Sequence, residues 1–346
     1  ELGTNPGKVM VKEIVILKKF EGNESILGPG VGAPRKLAIQ GQTAQAAQAY
    51  AKALAEAPDQ NSRTRILDEL PQFHGVLTAL HRLLPNDKQI EEAYRRMVEK
   101  TAAEFSRKLD ALTRAIQNQP DQAAGYLARG DWYGRRGHWQ KAADDYGAAY
   151  RTKADPLAGR NLGILLVWIG KADRYRVHCQ ELLDRLAGTS ADHEAEWALK
   201  TCCLLGPDPV GDPARLARLG EVTLSGDPAK PNREWDLLAH GLYEYRAKRY
   251  DAAVTNCREA RIRAKSSDVN ALAAAAITVE AMALHRSGDA EGARRSLTEA
   301  KKLIDEKLLL LEAGDWGEWW YDWLVAQLLY REAEGLIAGK KAEQPK

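Results

Sequence analysis

The sequence contains little sulfur, with four cysteines and three methionines in 346 residues. Four cysteines are too few for a disulfide-stabilised fold, and they include no C-x-x-C pair of the kind that binds zinc. We therefore predict neither a disulfide framework nor a metal site. Because free thiols persist in a reducing compartment, we expect a cytoplasmic protein.

An excess of charge of one sign is also missing, because 50 Lys and Arg residues are balanced by 48 Asp and Glu residues. The formal net charge of +2 gives no field that would attract nucleic acid or an anionic membrane. No apolar run approaches the ~18 residues that a transmembrane helix needs. We expect neither nucleic acid nor a membrane as a partner.

The patterns of common catalytic sites are absent as well. His193 and Glu194 begin like the metalloprotease pattern H-E-x-x-H, but Trp197 stands where the second histidine is required. His178 and Cys179 are neighbours on a predicted helix, where side chains point about 100° apart and cannot pair as base and nucleophile. We predict that the chain is not an enzyme and needs no cofactor.

Strand-forming residues are scarce outside residues 8–18, a stretch rich in Val and Ile. A single strand needs a partner for its backbone groups, so this one pairs with another chain, lies on helices or is left from a truncated domain. We favour the last alternative and interpret residues 1–20 as an orphan strand left from a truncated domain. The Gly- and Pro-rich residues 21–34 are predicted to be a linker.

Helical patterning begins at residue 35, where Ala and Leu start to recur at spacings of three and four. Helix breakers follow at intervals typical of antiparallel helical hairpins. The predicted organisation is degenerate helical repeats at 35–119, regular repeats at 120–205, a Pro- and Gly-rich connection with a short helix at 206–231, repeats and a capping helix at 232–338, and a tail at 339–346.

The clearest hairpin starts at Ala123 and alternates large and small residues in the order of a tetratricopeptide repeat (TPR). A second copy follows 33 residues later, although Tyr175 replaces a small residue there. We predict an all-α, TPR-like α-solenoid of antiparallel hairpins with a Trp-rich C-terminal capping helix. The structural repeat positions are Tyr126, Gly130, Tyr133, Ala142, Tyr146, Ala149, Gly163, Gly241, Ala253 and Ala293.

Several segments carry a family resemblance: residues 175–179, 203–208, 212–214, 241–246, 283–288 and 320–324. Through them the chain resembles the TPR-like C-terminal region of large bacterial multidomain proteins. Such arrays often follow a serine/threonine protein kinase or a lectin-like β-sandwich, and residues 8–18 are similar to the last strand of that sandwich. The chain has no Gly-rich phosphate loop, His-Arg-Asp or Asp-Phe-Gly motif, so kinase chemistry would lie outside it.

TPR arrays usually bind partners on the concave face, which is lined by the first helix of each hairpin. We therefore predict a protein-protein interaction scaffold that binds a protein or peptide on this face. The alternative is an accessory or regulatory C-terminal region of a multidomain signalling enzyme whose catalytic domain lies outside the chain. The candidate partner-binding residues are Leu127, Asp131, Arg160, Asn161, His240 and Tyr243.

Overall fold

The computed structural model describes residues 32–40, 42–153, 155–186, 188–266, 269–308 and 315–339. Helices are the only regular elements in these ranges, and they pair as antiparallel hairpins, so the predicted all-α, TPR-like fold class is confirmed. The strand predicted at residues 8–18 lies outside the described residues. The chain divides into two compact units, residues 1–102 and residues 103–346.

Unit 1 has a small core centred on two helices, Thr43–Ala55 and His74–Leu83. Within it the Tyr50 hydroxyl donates a hydrogen bond of 2.7 Å to Glu69, and the Arg35 guanidinium donates two to the same carboxylate. The buried acid is thus paired with a cation, as burial of a charge requires. The helices are α1 (Gly32–Ile39), α2 (Thr43–Ala55), α3 (Gln60–Glu69), α4 (His74–Leu83) and α5 (Lys88–Asn118), and the boundary between the units falls within α5.

In the described residues of unit 2, five consecutive hairpins and a final helix follow the end of α5. Its helices are α6 (Ala123–Gly134), α7 (Trp139–Lys153), α8 (Pro156–Trp168), α9 (Ala172–Leu186), α10 (Asp192–Cys202), α11 (Pro213–Leu224), α12 (Arg233–Arg246), α13 (Tyr250–Ser266), α14 (Asn270–Ser287), α15 (Ala290–Lys307) and α16 (Trp320–Ala338). We call α6, α8, α10, α12 and α14 the inner helices and their partners α7, α9, α11, α13 and α15 the outer helices. Each inner helix packs against the outer helix that follows it.

Four hairpins share one turn geometry. Within three residues after the inner helix comes a residue with positive φ, which is Gly137 (78°), Gly170 (70°), Lys248 (64°) or Gly288 (96°). The amides of this residue and of the next one donate to carbonyls in the last helical turn, which satisfies groups that a helix end leaves unpaired. Glycine adopts this conformation without strain, whereas Lys248 does not.

Small residues allow the helices of unit 2 to approach closely. A Cβ atom added to Gly163 would lie 2.3 Å from Thr201 Cγ2, and one added to Gly241 would lie 2.6 Å from Cys257 Sγ. Neither position has room for any larger side chain. Of the other repeat positions, Tyr126 and Tyr133 are half-buried, whereas Gly130, Ala142, Tyr146, Ala149, Ala253 and Ala293 are buried.

Tyr175 shows how a hairpin accommodates a large residue at a position where the repeat pattern has a small one. The side chain is fully buried, and its hydroxyl donates a hydrogen bond of 2.6 Å to the Thr201 carbonyl. The same hydroxyl accepts a bond of 3.3 Å from the Leu205 amide. The ring therefore bridges α9 to the end of α10, and the hydroxyl is satisfied inside the core.

Candidate functional site

The C-terminal helix α16 packs against α14 and α15, as predicted for a helix that caps the last hairpin. It also contacts hairpins much earlier in the chain. The indole of Trp320 donates a hydrogen bond of 2.9 Å to Asp131 on α6. Just before the helix, the Trp316 amide donates to the Arg135 carbonyl at 2.8 Å, and Asp315 forms ion pairs with Arg135 and Arg136.

Trp320 anchors the start of α16 in a site on the first hairpin. The side chain is fully buried, and a Cβ atom added to Gly134 would lie 2.4 Å from its ring. The rings of Trp139 and Tyr146 lie 6.1 and 6.2 Å from the indole, centroid to centroid. Gly134 therefore leaves the space that the indole fills, and aromatic contacts complete the site.

Two basic contacts hold the second half of α16. The Arg246 guanidinium, 2 % exposed, donates two hydrogen bonds to the Glu332 carboxylate, one of them at 2.6 Å. It also donates to the Cys203 carbonyl at 2.9 Å, so most of its donors are satisfied. Arg331 lies 4.4 Å above the ring of Trp168 on α8. These contacts attach α16 to α8 and α12.

Four of the inner helices therefore contact α16. They are α6, α8, α12 and α14, although three hairpins separate that of α6 from that of α14 along the chain. We call the surface of the inner helices that contacts α16 the inner groove. This face was predicted from the sequence to be the partner-binding surface, and in the structure the chain's own C-terminal helix lies on it.

Three of the predicted partner-binding residues lie in or beside the inner groove. Asp131 accepts the bond from Trp320, and burial raises the pKa of its carboxyl. The Arg160 guanidinium lies 4.2 Å from the ring centroid of Tyr321 on α16. Asn161, the next residue, accepts a hydrogen bond of 3.0 Å from Arg160 Nε and is itself buried.

The other three predicted residues lie on α6 and α12. Leu127, on α6 one helical turn before Asp131, is half-buried and packs against the core. His240 Nδ1 lies 3.3 Å from the side-chain amide nitrogen of Asn256 on α13, and burial lowers the pKa of its imidazole. Tyr243 is buried beneath the guanidinium of Arg249. The structure therefore does not bring His240 and Tyr243 together with Asp131 and Arg160.

A pocket of about 370 Å³ opens between α8, α10, α12 and the start of α16. Its walls include the aromatic residues Trp197, Trp235, Trp319 and Tyr321 and the charged residues Arg160, Asp192, Glu196, Lys230, Asp236 and Asp322. We call it the inner pocket. Pockets that bind small molecules combine apolar walls with a few polar groups in this way.

Most of the charges around the inner pocket are paired with one another. At its base, Lys200 Nζ lies 2.6 Å from Glu196 Oε1, and both side chains are buried. At its rim, Lys230 lies between the carboxylates of Asp192 and Asp236 and contacts Asp236 at 2.7 Å. Each of these charges is therefore compensated by a neighbour within the protein.

Three charged residues of the inner pocket have a buried atom without a hydrogen-bond partner in the described part of the chain; one of these atoms, Glu196 Oε1, still lies 2.6 Å from Lys200 Nζ, and the other two are on Asp322 and Arg160. Among the described residues, none offers a hydrogen-bond partner to Asp322 Oδ2 or to Arg160 Nη2. Asp322 is 3 % exposed and Arg160 is 6 % exposed, so bulk water does not solvate them freely. Burial raises the pKa of Asp322 to about 6, against the opposing effect of the positive charges of Lys200 and Arg160.

The tryptophans of α16 were predicted from the sequence to belong to a capping helix, whereas Asp322 was not among the predicted residues. One signal was present, because Asp322 is the single acidic residue in the run from Trp319 to Leu324. An acid between aromatic residues that are expected to be buried is unusual enough to suggest a site. Its neighbours Arg160 and Glu196 could not be found from sequence, because they lie on other hairpins.

No protein family matches the sequence, and no curated protein matches it. Among solved structures, the chain is similar to the crystal structure of yeast Tom70, with a TM-score of 0.36 and 12% sequence identity. The similarity covers 91% of this chain and 68% of the Tom70 chain. In the part of the chain that the structure describes, no helix is long and apolar enough to cross a membrane.

Proposed function

We propose that the chain is a protein-interaction scaffold whose inner groove binds a helical segment of a partner protein. The observation that carries this proposal is the position of α16, a helix of 19 residues that contacts α6, α8, α12 and α14 together. Helix-in-groove recognition works through a few anchor side chains on one face of the bound helix. Trp320 and Glu332 are such anchors for α16.

A partner helix would use the same anchor sites. An aromatic side chain would enter the space beside Gly134, and a carboxylate would pair with Arg246. Because α16 belongs to the same chain, it competes with any partner at an effective concentration on the order of millimolar. A partner therefore binds weakly until α16 leaves the groove, and weakening the two anchors should raise its affinity.

The first test uses an open variant of the full chain, Trp320→Ala with Glu332→Gln, and a fluorescent peptide of residues 315–339. We expect the peptide to bind the open variant with one-to-one stoichiometry and at least tenfold more tightly than it binds the wild-type chain. The control variant Arg176→Ala changes an exposed side chain on α9 and should behave like wild type. Equal binding of the peptide to open variant and wild type would overturn the proposal.

The second test identifies the partner by affinity capture with the same variants as bait. A groove partner should be enriched on the open variant, released by excess peptide and lost when Asp131→Ala or Arg160→Ala is added. A captured protein that ignores the peptide and both substitutions would place binding outside the groove. His240 and Tyr243 belong to a different surface, so their substitution serves as the comparison.

A second proposal is that the chain is an accessory region of a bacterial, kinase-type signalling protein. The resemblance of residues 170–304 to such TPR-like regions supports it. The occupied groove also favours it, since a groove that holds its own helix suits regulation within one polypeptide. Sequencing the natural open reading frame tests this proposal, because a frame without a catalytic domain would exclude it.

A further inference from the structure

We propose that the inner pocket binds a small zwitterion of the α-amino-acid type, with the ligand carboxylate on Arg160 and the ligand ammonium group on Asp322. The ligand's apolar side chain would lie against Trp235 and Trp319. This inference does not rest on the scaffold role, because it concerns a small molecule and needs no partner protein.

The first argument is that two buried residues of opposite charge, Arg160 and Asp322, line the inner pocket together. Neither Arg160 Nη2 nor Asp322 Oδ2 has a hydrogen-bond partner among the described residues. Burial raises the pKa of Asp322 and the positive charges of Lys200 and Arg160 lower it, but no donor in the described part of the chain reaches its Oδ2. A buried polar atom without a hydrogen-bond partner is costly, so a ligand that offers a partner to both groups gains what the protein itself does not supply.

The second argument is the orientation of Arg160. Its guanidinium carbon lies 4.2 Å from the ring centroid of Tyr321 and 4.8 Å from that of Trp197. Aromatic contacts of this kind hold the planar group in place and use none of its N–H donors. One edge donor, Nε, is used by Asn161, and Nη2 remains for a carboxylate.

The third argument is charge balance, which decides between a zwitterion and a simple ion. A lone anion on Arg160 would face the carboxylates of Glu196 and Asp322, and a lone cation on Asp322 would face Lys200 and Arg160. Glu196 is already paired in charge with Lys200, at 2.6 Å between Oε1 and Nζ. A ligand with both charges meets one complementary group at each end and adds no net charge.

The fourth argument is the size and lining of the pocket. A volume of about 370 Å³ lies near the lower end of the range for small-molecule sites, roughly 300–1,000 Å³. The rings of Trp235 and Trp319 stack 5.7 Å apart at an interplanar angle of 18°, and Trp319 is 48 % exposed at the pocket. This apolar wall suits an aromatic or branched aliphatic side chain rather than a charged one.

The test titrates the full chain with a panel of free L-amino acids, followed by calorimetry and by tryptophan fluorescence. We expect an apolar or aromatic amino acid to bind with one-to-one stoichiometry. Two blocked analogues of that amino acid, the N-acetyl form without the ammonium group and the amide without the carboxylate, should each bind at least tenfold more weakly. If no member of the panel binds at millimolar concentration, or if a blocked analogue binds as well as the free form, the proposal is wrong.

Variants locate the site. Asp322→Asn and Arg160→Gln keep side-chain size roughly constant and should each weaken the free amino acid at least tenfold, whereas Asp173→Asn, at a fully exposed position, should have no effect. Unchanged binding in both pocket variants, with their fold verified by circular dichroism, would overturn the assignment. If a pocket variant fails to fold, the blocked analogues still decide the question on the wild-type chain. A negative result here leaves the peptide test of the groove unaffected, so the two proposals fail separately.

Discussion

Replacing Asp322 with Asn should stabilise unit 2 near neutral pH. Burial raises the pKa of this carboxyl from 3.8 to about 6, so the folded state prefers the protonated acid. At a pH above about 6 the group is ionised in both the folded and the unfolded chain, and the difference in pKa then corresponds to a penalty of ~3 kcal/mol. Below about pH 4 the acid is protonated in both states and the penalty vanishes.

Asn mimics the protonated acid in shape and carries no charge. We therefore expect the variant to gain ~1–3 kcal/mol in free energy of unfolding at pH 7.5. The gain falls short of the full penalty because the amide at this position still lacks a hydrogen-bond partner. This corresponds to a rise in Tm of about 2–4 °C per kcal/mol for a unit of this size.

The assay is urea unfolding of wild type and variant at pH 7.5, 6 and 4.5, followed by tryptophan fluorescence. Other groups titrate in the same range, but they do so equally in both chains, so the difference between the two isolates residue 322. The advantage of the variant should shrink as the pH falls from 6 to 4. A variant that is less stable than wild type at pH 7.5, or an advantage that does not change with pH, would refute the reasoning.

Three further substitutions test other contacts. Glu332→Ala should lower the free energy of unfolding in urea by about 3–5 kcal/mol, because it leaves the buried Arg246 without its counter-charge. It should also speed hydrogen exchange in α16, and unchanged stability would contradict this expectation. Gly134→Ala should cost ~1–3 kcal/mol, since the new methyl group meets the Trp320 ring, and a double-mutant cycle with Trp320→Ala should remove most of that cost. Lys248→Gly should raise Tm through a gain of ~0.5–1 kcal/mol by relieving a left-handed backbone, and a lower Tm would show that no strain is present.

The hairpins were predictable because their signals are local. Gly130 and Gly163 recur 33 residues apart, and the helical pattern between them fixes two helices and a turn. Gly137 and Gly170 mark turns that need a positive φ, and the structure has one at both. Lys248 occupies the equivalent turn without a glycine, so sequence alone gave no sign of its conformation there.

The position of α16 was only partly predictable. An aromatic helix at the end of a repeat array must cover an apolar surface, which led to the predicted cap on α14 and α15. Its contacts with α6 and α8 depend on how tightly the row of hairpins curves. That curvature is the sum of small rotations between hairpins, and no local pattern encodes it. For the same reason the inner pocket, which combines four helices, was not foreseen.

The bond between Trp320 and Asp131 joins residues 189 positions apart. During translation the hairpins α6 to α15 leave the ribosome before α16 does, so the inner groove exists for a time without its own helix. A nascent chain can therefore meet a partner, or a chaperone, at a surface that the finished chain covers. The rate of synthesis sets how long the groove stays open, and slower translation of the segment before Trp320 would lengthen that time.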